Sequence, residues 1–184
     1  MAISSMDFVI MVDNAFYCKR TYTPEAFEDQ AARLLSDGHY ALDRWGDAMA
    51  YKTGTPNNNT MFAFLKNVVM FFVAFDGQLR QGEYNVYKKW CKKCGYIPSS
   101  GNELSAYSDR YSVSEYVKNV DMLARLREEI DSTHYQNMVY GLIMLAVYCE
   151  NVFTEEAYNV LKRFFRPGFD NCPSYRELVS QIYY

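Results

Sequence analysis

Histidine is nearly missing from this chain: there are two in 184 residues, His39 and His134. Neither sits in a Ser/His/Asp, His-Asp or metalloprotease pattern, so each reads as a polar residue at a helix start. Glycine is sparse and scattered, and no glycine-rich phosphate loop occurs. These absences predict a non-enzymatic protein. Long apolar runs are absent too. The longest, 61–75, is broken by Lys66 and Asn67 and falls below the ~18 to 20 residues of a membrane span, so it reads as a buried helix. The opening "MAISSMDFVIMVDNAFYCKR" lacks the basic start and long apolar stretch of a secretory signal. The five cysteines, Cys18, Cys91, Cys94, Cys149 and Cys172, are odd in number and lack framework spacing. Reduced thiols in the cytoplasm are the simplest expectation. Excess positive charge is lacking as well: the net charge is −3 and the densest basic cluster, Lys88, Lys89, Lys92 and Lys93, is short. A duplex-binding domain shows a broader basic face, which argues against nucleic acid as a partner.

What is present is ordinary for a globular domain, with 49% apolar and 22% charged residues. The length suits one domain, 1–184, that buries a core without staples. Tyrosine is the compositional excess, at 17 copies. An exposed tyrosine makes a good contact residue, which favours protein partners.

Convincing strand patterns are scarce. "FVIMV" at 8–12 reads either as a short strand or as a helix start. From Thr23 the signals are helical: Thr23 caps, Pro24 suits the first position, and Glu25, Glu28 and Asp29 suit the positive helix end. Asp37-Gly38 predicts a stop, and "HYALDRWGDAMAYK" predicts a second helix to about Lys52. "TGTPNNNT" is a loop. A third helix is expected over 61–75 and a fourth over 81–94, closed by Gly95 in the left-handed position. A capping box at Ser112 and Glu115 opens a fifth over 113–130. Thr133 and Gln136 repeat that logic for a sixth, running to about Glu150. A seventh starts after Thr154 and stops before Pro167-Gly168, and Ser174 to Glu177 caps a short last one. The expectation is an all-α helical bundle of seven to eight helices, with a core of about 60–168, N-terminal helices over 23–52 and a short C-terminal helix.

The chain also repeats itself at a spacing of 74 residues. "MFFVAFDGQLRQGEYNVYKKW" from Met70 falls on "MLAVYCENVFTEEAYNVLKRF" from Met144. Identical pairs include Met70/Met144, Val73/Val147, Tyr84/Tyr158, Asn85/Asn159, Val86/Val160 and Lys88/Lys162. Asp76 falls on Glu150, Gly77 on Asn151 and Leu79 on Phe153. In each copy an apolar helix ends, two residues reverse the chain, an apolar side chain plugs back, and an amphipathic helix leaves. Two helical hairpins of one design are expected to pack as a pseudo-symmetric pair.

At these residues the sequence resembles the TerB-like, or tellurite-resistance, family of small helical domains. The shared pattern is an apolar helix followed by Asp76-Gly77, the apolar Leu79, and Glu83 early in the next helix. The resemblance covers roughly 60–168. Departures are Arg80, where the family often has Ser or Thr, and Glu150-Asn151 and Ala157 in the second copy. The resemblance implies an all-helical bundle with an acidic face, acting as an adaptor or sensor in a stress-response or defence system, often in complexes near the membrane. It implies no catalytic activity, and it suggests a divalent cation.

Carboxylate oxygens suit calcium or magnesium, and calcium takes six to eight of them. Asp76 and Glu83 are too few alone, so Glu150 and Glu155 or Glu156 would join across the repeat. That makes Asp76, Glu83, Glu150 and Glu156 the metal candidates. The structural reading of the same residues is turn chemistry at Asp-Gly and dipole pairing by a first-turn Glu. Cys91 and Cys94 stand one helical turn apart at a helix end. A zinc site needs four ligands, and no knuckle spacing supplies the rest, so they read as a buried or half-buried pair. Two alternatives stay open: a purely structural or protein-interaction domain without ligand, and an enzyme whose site sequence spacing does not reveal.

Overall fold

The computed structural model describes residues 5–53, 80–95, 97–98, 100, 132–148, 155–162, 174–180 and 182. Its elements are α1 (Ser5–Thr21), α2 (Pro24–Thr53), α3 (Gln81–Cys94), α4 (Ser132–Tyr148), α5 (Glu155–Leu161) and α6 (Tyr175–Ser180). The described residues are all-α. They contain fewer than the expected seven to eight helices; the helices expected over 61–75 and 113–130, and the Asp76-Gly77 turn, lie outside the described residues.

The ambiguous first segment is helix. Phe8, Val12, Ala15 and Phe16 recur at helical spacing and are all buried. Thr23 accepts a hydrogen bond from the Ala26 amide at 3.2 Å, so α2 starts where Thr23-Pro24 predicts.

The expected stop at Asp37-Gly38 is not there: α2 runs through it as one helix of 30 residues. An interior glycine costs a helix about 1 kcal/mol relative to alanine, and here packing on both sides outweighs it. Leu34 and Leu35 are buried just before. The Asn137 amide donates to Asp37 Oδ2 at 2.6 Å, and beyond the glycine the Tyr40 ring meets His134 at 5.3 Å between centroids. Asp37, read as a turn residue, is instead a hydrogen-bond acceptor for α4.

Helix α3 keeps its predicted bounds. Arg80 stands extended before it, with no side-chain cap, and Gly95 follows it at φ 78°. That left-handed value favours glycine. Helix α4 begins at Ser132, so Thr133 lies inside its first turn rather than before it. At α6 the capping box is reciprocal: the Ser174 amide donates to Glu177 Oε2 at 3.1 Å, and the Glu177 amide to Ser174 Oγ at 3.2 Å.

Helix α4 is the centre. Its residues from Met138 to Val147 are buried except Tyr140, as expected for a helix enclosed on all sides. It packs most extensively on α2 and also on α1, while α3 lies against α2. At Gly141 the approach is closest: a Cβ there would stand 2.9 Å from the Leu35 backbone nitrogen. Trp90, Tyr87, Phe8 and Leu35 are the largest fully buried side chains. Among the described residues no helix is long and apolar enough to cross a membrane.

The repeat leaves a physical trace in the two amphipathic helices. Lys88 Nζ sits 4.9 Å from the Tyr84 ring centroid, and Lys162 Nζ sits 5.7 Å from that of Tyr158. The same cation–π pair, one turn apart, thus recurs at both copies.

Candidate functional site

The proposed metal residues are spread unevenly over the described structure. Asp76 and Glu150 lie outside the described residues. Glu156 is in α5, in a part where side chains are not described. Glu83 is in the first turn of α3 and is only 4% exposed. Its Oε1 lies 4.0 Å from Arg80 Nη1, three residues back at the helix start. Its carboxyl group therefore faces the interior beside a guanidinium. Among the described residues no group of three or more His, Cys, Asp or Glu side chains is placed to hold a metal.

The polar centre of the described structure is Glu28, whose residue is 5% exposed. The Tyr148 hydroxyl donates to Glu28 Oε2 at 2.8 Å, and the Asn85 amide donates to the same oxygen at 3.2 Å. Lys89 Nζ donates to Oε1 at 3.5 Å and pairs with Asp29 Oδ1 at 2.9 Å. One side chain of α2 thereby ties α3 and α4 together. The surroundings are shaped for it. Phe27 meets the Tyr148 ring edge-on at 4.6 Å, and Gly82 leaves room for that ring, since a Cβ there would stand 2.5 Å from Tyr148 Cε1. Gln81 donates to Asn85 Oδ1 at 2.8 Å, which fixes the amide orientation.

Sequence reading placed Glu28 among the acids of a helix start. The signal for burial was in the register: Glu28, Ala31 or Ala32 and Leu35 share one stripe with Phe27. Asn85 was marked by the repeat, but its twin Asn159 is exposed, so the identity is shared and the role is not. No spacing singles out Tyr148 among 17 tyrosines.

Beside this network α3 presents lysine. A shallow groove of about 240 Å³ is lined by Asn85, Lys88, Lys89 and Lys92. Partial burial works against the Lys89 charge, but the hydrogen bond to Asp29 and the charges of Asp29 and Glu28 outweigh it and hold the ammonium above its ordinary value. Lys89 is therefore a fixed cation.

The cysteine pair is sheltered. Cys91 is buried and Cys94 half-buried, both free thiols. Burial first, and the neighbouring Cys91 second, push the Cys94 thiol up to about 12. Reactivity belongs to the thiolate, so alkylation of Cys94 by iodoacetamide at pH 8 should run about a hundredfold below that of an open cysteine. Denaturant should restore it, which mass spectrometry of the modified peptide checks. Alkylation at an ordinary rate in the folded protein would contradict the burial described for this thiol.

No family model, no curated protein and no solved structure matches the chain.

Proposed function

We propose that this protein is a non-enzymatic helical adaptor of the TerB-like kind, serving a cytoplasmic stress-response or defence complex through protein contact. In this reading α1 carries the contact face. The observation that supports this is the outer side of α1. Ile10 is 49% exposed and Tyr17 57%, seven residues apart on one stripe. Tyr22, just past the helix end, is 43% exposed. The opposite stripe of α1, Phe8, Val12, Ala15 and Phe16, is spent on the core. A large apolar side chain held in water on a rigid helix is suited to a partner, and tyrosine brings area at low entropic cost.

The test is affinity capture from the source cells with the full chain and with an Ile10→Asp/Tyr17→Asp variant that keeps native circular dichroism. One partner, retained by the unaltered chain and lost by the variant, is the expected result. Identical capture by both would remove α1 as the contact face. Titration with calcium and magnesium is a separate arm: heat that disappears in Glu83→Gln would bring a divalent cation into the reading, and absence of heat would leave the adaptor without one.

A further inference from the structure

The adaptor reading does not use the lysine face of α3, which adjoins the network of Glu28 through Asn85 and Lys89. Lys92 and Lys93 near the end of α3 are accounted for by the helix dipole, which favours cations there. The dipole does not account for the other two. Lys88 is held with its ammonium over the Tyr84 ring at 4.9 Å. Lys89 is anchored at 2.9 Å by Asp29 and at 3.5 Å by Glu28. An ammonium has three donors, and those two carboxyl groups take two of them, leaving one for the groove. Lys92 completes the lining one turn beyond Lys88.

We propose that this groove, lined by Asn85, Lys88, Lys89 and Lys92, binds a small phosphate-bearing anion. The charge is arranged for it: two of the three ammoniums are fixed before any ligand arrives, which lowers the ordering cost of binding. The donor type points to phosphate over carboxylate. Planar carboxylates are best met by the fork of arginine, while lysine acts as a point charge on phosphate oxygens, and among the described residues the groove lining holds lysine and no arginine. The size argues against nucleic acid. The lysines span less than two turns of one helix in a chain of net charge −3, so a long backbone would find little beyond this spot. Asp29, more than half exposed and paired with Lys89, offsets part of the positive charge, which favours a small anion over a highly charged one. The site stands apart from the α1 contact face and does not depend on it.

The test is calorimetric titration of pyrophosphate, and separately of citrate, into the full chain at low salt. Pyrophosphate should bind at one site per chain, more tightly than citrate, and weaken as salt is added. Lys88→Ala and Lys92→Ala should each lower its affinity about tenfold, the scale of one lost charge-assisted hydrogen bond. Lys93→Ala is the control: Lys93 is exposed and adjacent in sequence to Lys92, but it does not line the groove, so its loss should leave binding unchanged. All three lysines are exposed, and circular dichroism verifies that each variant folds. No heat with pyrophosphate would overturn the proposal. So would equal weakening by Lys93→Ala, which would mean a diffuse basic surface, or citrate binding as tightly as pyrophosphate. Binding to phosphatidic acid vesicles without binding to soluble pyrophosphate would overturn it in favour of a membrane surface.

Discussion

Replacing Glu28 by alanine should destabilise the protein by about 3 kcal/mol, because two part-buried donors lose their shared acceptor together. The Tyr148 hydroxyl and the Asn85 amide both donate to Oε2, at 2.8 and 3.2 Å, in a place where the residue is 5% exposed. Lys89 is affected less, since it is partly exposed and keeps Asp29 at 2.9 Å. Tyr148→Phe removes one donor and leaves the rest, so about 1 kcal/mol is expected there. Glu28→Gln keeps an oxygen for the tyrosine but turns an amide toward existing donors, so it should fall between the two. Urea unfolding of the three variants supplies the order. A Glu28→Ala change under 0.5 kcal/mol would mean that the network does not hold α2, α3 and α4 together.

Gly141→Leu should cost a comparable amount, about 3 kcal/mol, at the upper end of what overpacking does in a core. The reason is what the new atoms would meet. A Cβ at Gly141 stands 2.9 Å from the backbone nitrogen of Leu35 and 2.9 Å from its Cγ. Backbone of a long helix cannot step aside, so α2 and α4 must separate along their most extensive contact. Gly141→Ala should cost less than leucine, because it adds a single methyl group to the contact, and its gain in helix propensity over glycine offsets up to about 1 kcal/mol. Gly82 differs in kind: its Cβ would meet the ring of Tyr148 at 2.5 Å, a side chain that can rotate away but loses Glu28 in doing so. Thermal unfolding of the Gly141 variants measures the effect. Equal midpoints for glycine, alanine and leucine would show that the helices are not in contact there.

Local chemistry was legible where it is decided locally. Thr23-Pro24, Gly95 and the Ser174/Glu177 box are read from a few residues, and each marks a helix end in the structure. Asp37-Gly38 has the same local signature and misled, because α4 supplies a hydrogen-bond donor, the Asn137 amide, and apolar cover that no window around Gly38 reveals. Burial of Glu28 was partly legible from its stripe on α2. Its partners were not, since Tyr148 is 120 residues away and nothing near Glu28 specifies a tyrosine. The lysine cluster was visible as a run but not as a groove: only the structure shows Lys88 seated on Tyr84 and Lys89 drawn toward α2.

The distance in sequence between Glu28 and Tyr148 also sets a clock during synthesis. Translation at about 5–20 residues per second leaves the helix carrying Glu28 waiting roughly 6–24 seconds for the tyrosine to be made. For most of that interval α1 and α2 have their apolar stripes and a buried-to-be acid without α4 to cover them. The chain therefore has little to gain from folding in order from its first residue. A truncation series on stalled ribosomes should acquire protease resistance in one late step, after α4 has emerged, rather than in gradual increments.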